Sequence, residues 1–480
     1  MSKRILYTIL LVLFLADTGV SFIQHYHEPL DGDMPAHIVP SIHNQHVLDH
    51  PFGIEAIKNK ESYPNPNRFF CHWSMREYFL LVPGMLHGIT DPIHSVYLSS
   101  AIIKTIIQVI LLMLLATAVT GSLNGRKLEF MLAMVLMAPL FQANGYRSYM
   151  GIIDPSPTYF FFYALPTTLL LLYYLPLILK YYHGREIRFN VPLKILWLLM
   201  AVILSLSGPL NPGVILIITL LMLWKHAAAS FAAEGNGSLI KKAGKSIASI
   251  PPDYWLFLMP ISLMALYSLY LGKYNSNEMD IQISLGERFS RLPKGIYLSV
   301  TQKIGFPVLF ISLALNTILI KKHFRHTDGK KISRIFGWIG IFALIYILLL
   351  PFGGYRSYRP YLLRYDTIMP VTLSLVFYFG LSSLFLIKNL SRKQKYWYLP
   401  ILILVLFIFT NGDELKLRNN ACEVHALEVI QDSHEKIVPV SSDCVVLSWE
   451  KIADPSYSEL SAQMLVLWGI TEEKKLYYNE

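Results

Sequence analysis

The run Asp31-Gly32-Asp33-Met34-Pro35-Ala36-His37 sets two carboxylates two residues apart, with a histidine four residues beyond the second. Carboxylates at this spacing can share a divalent cation of the magnesium or manganese type, or act as a base and its electrostatic partner. The glycine between them lets the backbone bend. A helix starting at Met34, with Asp33 as N-cap and Pro35 in its first turn, projects His37 beside the carboxylates. The plainer alternative is that Asp33 only caps the helix and Asp31 is solvated. Nine of the fifteen histidines fall between residues 24 and 95, so His25, His27 or His37 joining the aspartates around a metal is a further reading.

A second pattern occurs twice, as Gly145-Tyr146-Arg147-Ser148-Tyr149 and Gly354-Tyr355-Arg356-Ser357-Tyr358, each with a proline upstream (Pro139, Pro351) and no wider similarity. Arg147 and Arg356 offer planar, permanently charged forks suited to phosphate oxygens. Tyr146 and Tyr355 suit interfacial anchoring or sugar stacking. The second copy runs on through Arg359 and Arg364 to Asp366 and Pro370. Contact with lipid headgroups, or pairing with Asp154 and Asp366, is the alternative use of this charge.

What must position these residues is a membrane. The chain of 480 residues is 54% hydrophobic and 15% charged, where soluble proteins carry about 25% charge. Eleven apolar stretches approach the roughly 20 residues a spanning helix needs: 5–23, 96–119, 128–143, 159–180, 192–208, 213–229, 254–272, 304–320, 334–352, 368–388 and 396–410. The net charge of +10 could point to nucleic acid, but the basic residues sit in short loops between these stretches, where a topology rule explains them. With Lys3 and Arg4 inside, every inside loop is basic, the N-terminus is inside and the C-terminus outside. The first stretch resembles a signal peptide but is expected to remain as a span. It holds Asp17, and the second holds Lys104 at similar depth; the two either form an ion pair or both sit at the interface. Gly208, Pro209, Asn211 and Pro212 mark a hairpin or a re-entrant dip.

The expected fold is an all-α polytopic membrane domain over 1–410, with a large first outer loop at 24–95, followed by a small outer α/β module over 411–480. Short surface helices are expected over 34–48 and 73–85. The module reads as a helix over 421–433, a strand over 444–449 and a helix over 458–467, with Cys422 and Cys444 either bridged or free. Acids on one outer loop and arginines on two others are what transfer from a lipid-linked phosphate requires: a base for the acceptor hydroxyl, and cations for the phosphate that leaves.

In this layout the chain resembles the GT-C superfamily of membrane glycosyltransferases, through the acidic first outer loop, the number of spans, the outer C-terminal module and the Arg364-Tyr365 to Pro370 run that opens a late span. The resemblance implies an enzyme of the bacterial cytoplasmic membrane that transfers a sugar from a polyprenyl-phosphate donor to a lipid, glycan or protein acceptor on the extracytoplasmic face. It makes one of Asp31 and Asp33 the base and gives Arg356 or Arg364 the donor phosphate. The WWD-type signature of the asparagine-glycosylating branch is absent. Two other classes stay open: an O-antigen polymerase or ligase, whose larger loop usually comes later in the chain, and a lipid-linked glycan flippase or transporter, for which the Pro209–Pro212 break would serve.

Overall fold

The computed structural model describes residues 2–141, 151–233, 244–245, 247–278, 283–353, 361–412, 415–441 and 443–480. Among them, nine helices are long and apolar enough to cross a membrane, so the protein is mostly helical and polytopic. In chain order they begin with α1 (Lys3–Tyr26) and α6 (Pro92–Thr120) and end with Met369–Asn389 and Arg392–Asn411. The expected stretches 128–143 and 192–208 are shorter, as the apolar helices Leu128–Leu140 and Val191–Ser205. At about 1.5 Å per residue, neither alone covers a hydrocarbon core of about 30 Å.

Between α1 and α6 the first loop folds into α2 (Met34–Ile38), α3 (Ile42–Asp49), α4 (Ile54–Asn59) and α5 (Phe69–Leu86). The expected helix over 34–48 is therefore two. Val39 and Ser41 separate them, and the Ser41 hydroxyl accepts from Asn44 N to start the second. A helix that was not anticipated, Leu285–Thr301, lies in the 273–303 loop; Ser284 caps it and Glu287 pairs with Arg291 one turn on.

The interhelical loops sort into two sets by what they touch. At one end, the Tyr63 N–H donates to Tyr274 O, Phe70 N–H to Leu206 O, and the Ser299 hydroxyl to Leu363 O. At the other, the Tyr7 hydroxyl donates to Gly125 O, His183 Nε2 lies 2.8 Å from Ala118 O, Lys388 pairs with Glu129, and Gln394 meets His323. The first set holds the loops that the charge pattern groups together as outer, the second the basic loops. The turn at 206–210 belongs to the first set: Gly208 takes φ +65°, its N–H donates to Cys71 Sγ at 2.8 Å, and α5 lies over it. This break is a turn between Val191–Ser205 and Asn211–Ala233 that packs against α5.

The tail packs on the first set. Helix Ala421–Asp432, strand Ile437–Val440, helix Glu459–Leu467 and strand Leu476–Asn479 form the module, its two strands paired in parallel. The expected strand at 444–449 is instead a buried loop, because Leu447 sits at φ 47° and its N–H is taken by the Glu423 side chain, not by a neighbouring strand. Ala426, Val438 and Trp468 belong to the same continuous apolar core as Phe14, Phe79 and Tyr97. The buried Trp468 also donates its indole N–H to Phe79 O at 2.9 Å. Burial of one such ring stabilises by roughly 3 kcal/mol, enough to hold the module on α5.

Candidate active site

Two short loops build the site. The residue types in Asp154-Pro155-Ser156-Pro157-Thr158 dictate a helix start: Ser156 caps, Pro157 supplies the first-turn φ, and the spanning helix Pro157–His183 follows, with a π-helical turn over Phe160–Ala164. Asp31 docks on that start. Its Oδ2 accepts from the Ser156 hydroxyl at 2.7 Å and Thr158 N–H at 2.8 Å, and its Oδ1 from the Thr158 hydroxyl at 2.8 Å. The N–H groups of Asp33 and Met34 also donate to Oδ1. A carboxylate placed against free N–H groups at a helix N-terminus is favoured by charge as well as by hydrogen bonding. Asp31 is buried, and desolvation together with the neighbouring Asp33 raises its pKa against the pull of these donors.

The capping roles expected for the aspartates are therefore exchanged. Asp33 sits at φ −87°, ψ −21°, outside the extended conformation a cap needs, and its side chain caps nothing. It accepts instead from the Trp449 indole N–H at 3.0 Å. Gly32 is required for a different reason than bending: a Cβ there would lie 2.5 Å from the Ser448 carbonyl carbon and 2.5 Å from Trp449 N. The module's backbone presses directly on the aspartate loop.

These segments enclose a cavity of about 630 Å³. Asp31, Asp154, Glu28, Glu423 and Asp443 line it as acids, Lys303 and Lys416 as cations. Asp154 is buried and, among the described residues, accepts one hydrogen bond, from Ser156 N–H at 2.9 Å. Burial pushes its carboxyl up to about 7; Asp366 and Asp31 add to the rise, and Lys104 opposes it. Glu423 bridges the module to the bundle, accepting from Leu30 N–H (2.8 Å), the Tyr97 hydroxyl (2.8 Å) and Leu447 N–H (3.2 Å). Burial again dominates and lifts it to about 7. Cys422 and Cys444 are joined by a disulfide on the cavity wall.

Lys104 does not pair with Asp17. Its ammonium donates to Pro155 O, and the acids acting on it are Glu28 and Asp31 of the first loop and Asp154 of the loop before Pro157–His183, because both loops reach the lysine. His37 leaves the carboxylates and packs on His72 (ring centroids 4.6 Å apart) and Phe162 (5.3 Å). Arg364 ion-pairs with Asp366, which in turn acts on Asp154, so this arginine stands one carboxylate behind the cavity wall. Tyr146, Arg147, Tyr355, Arg356 and Arg359 lie outside the described residues. Both pentapeptides nonetheless follow a helix whose end tightens into a proline-containing 3₁₀ turn, Ala138–Leu140 and Leu350–Phe352, and Arg288 donates to Pro351 O and Gly353 O beside the second.

Among the described residues, no group of three or more His, Cys, Asp or Glu side chains is arranged to hold a metal. The surroundings of Asp31 are those of a carboxylate held by five donors, and they leave its oxygens little room for a cation; Asp33 is the more open of the two. Sequence reasoning passed over Asp154 except as an ion-pair partner, and missed Glu423, Lys303 and Trp449. The Asp-Pro-Ser-Pro-Thr helix start just before a span was the available signal for the first. No protein-family model matches this chain, and no curated protein does.

Proposed function

We propose that the protein is a membrane glycosyltransferase that moves a sugar from a polyprenyl-phosphate donor to a lipid, glycan or protein acceptor. The observation that supports it is the meeting of two buried aspartates from separate loops, Asp31 and Asp154, in one cavity at the ends of the spans, with lysines on its wall. A polyprenyl donor keeps its tail among lipids, so its phosphate and reacting carbon arrive at this depth. The positive-inside rule turns the cavity end to the non-cytosolic face, with the N-terminus inside.

In this reading Asp154 is the base. It has spare acceptor capacity, and a group titrating near neutrality is suited to general-base work. The acceptor oxygen gives its proton to Asp154 and forms a bond to the anomeric carbon. The bond from that carbon to the phosphate oxygen breaks, and polyprenyl phosphate leaves with the electron pair. Lys303 and Lys416 offset the charge that builds on it. Asp31 positions the Asp154 loop through Ser156 and Thr158, and Arg364 fixes Asp366 behind it. No step is drawn through a metal.

The test is transfer of labelled sugar from polyprenyl phosphate by purified protein in lipid nanodiscs. Asp154→Asn is expected to abolish transfer; full activity in that variant would remove the proposed base.

A further inference from the structure

Trp449 has no role in the chemistry above, and it is 51% exposed on the wall of a mostly polar cavity. Its indole is nevertheless fixed at both ends. The backbone N lies against Gly32, and the ring N–H donates to Asp33 at 3.0 Å. Tyr159, also on the cavity wall, stands 6.2 Å away with its ring inclined at 64° to the indole, and Tyr163 stacks behind Tyr159 at 5.9 Å. Two aromatic rings thus form a corner, with carboxylates on either side of it.

We infer that this corner holds a pyranose ring, its C–H face on the Trp449 indole and its hydroxyls toward Asp33 and the cavity acids. An aromatic face takes the apolar side of a sugar, and neighbouring carboxylates take the hydroxyl protons. A Trp at a membrane edge can also serve as a lipid anchor. Here the neighbours argue otherwise: the indole N–H is taken by a carboxylate, and Ser448, Glu450 and Lys451 beside it are polar. The proposal rests on the glycosyltransferase reading for which sugar arrives, but not for the binding itself.

The experiment measures saturation transfer from aromatic protons to added saccharides in nanodisc-embedded protein. The probes are disaccharides of glucose, galactose, mannose and N-acetylglucosamine for an acceptor ring, and short-chain polyprenyl-phosphate glucose against bare polyprenyl phosphate for a donor ring. At least one saccharide is expected to bind. Trp449→Ala should weaken it about tenfold or more, and Trp449→Phe, which keeps a ring but loses the N–H, only a few-fold. Binding that persists when transfer is absent upholds this inference and sinks the transferase; transfer that proceeds unchanged in Trp449→Ala does the reverse. Equal losses in the Ala and Phe variants, no saccharide binding, or quenching of Trp449 by brominated lipid in proteoliposomes would overturn it.

Discussion

The two ends of the bundle carry charge in opposite ways. At the basic end the charged pairs are exposed, as in Lys388–Glu129, whose side chains are about half exposed. At the cavity end, acids are buried and held by backbone and hydroxyl donors: Asp31 by five, three of them from the Ser156 and Thr158 loop, and Glu423 by three, from Leu30, Tyr97 and Leu447. Exposed charge of the first kind sets the direction of insertion and adds little to stability. Buried charge of the second kind costs stability unless every lone pair is met, so it persists where it organises loops or does chemistry.

Five measurements would break or sharpen this contrast. Asp154→Asn should lower the transfer rate by about 10²-fold or more while leaving the thermal unfolding midpoint unchanged or higher, because a charge that costs desolvation is removed without disturbing a network. Asp31→Ala should destabilise by about 3 kcal/mol or more, since it leaves buried donors on two loops without a partner; thermal unfolding in detergent reads this directly.

The third measurement is the pH profile of stability. Glu423 titrates near 4.5 when exposed and at about 7 in the folded protein, so the folded state holds its proton more tightly. Its contribution is complete below about pH 4.5, is lost as pH rises through about 7, and amounts to roughly 3 kcal/mol; Glu423→Gln should flatten this slope. Transfer activity should move the other way, rising with pH as Asp154 loses its proton, with a midpoint near 7. The smallest effect is expected at the basic end: Lys388→Ala should change stability by less than about 1 kcal/mol. A larger loss there would mean that the two ends do not divide the work as described.

Hydropathy made the spanning helices legible, since each is a local run read against a fixed bilayer thickness. The Asp-Gly-Asp run stood out, but the division of roles within it did not. Whether Asp31 or Asp33 is the anchored carboxylate depends on Ser156 and Thr158, more than a hundred residues away, and no local spacing encodes that contact. The same holds for Lys104, whose partners are set by the paths of the first loop and of the loop at 154–158, and not by its position along the helix. In the module, the β-branched run at Cys444–Trp449 carries strand-forming residues, yet a buried glutamate captured its backbone.

The contact at Gly32 has a consequence for biogenesis. Because the wall of the cavity opposite Asp31 is contributed by residues 443–449, a ribosome that has delivered all the membrane helices has still not produced a pocket. The nascent protein has no complete cavity until residues 443–449 follow and seat against the aspartate loop, so making the spanning helices and completing the pocket are separated in time by the translation of one short segment.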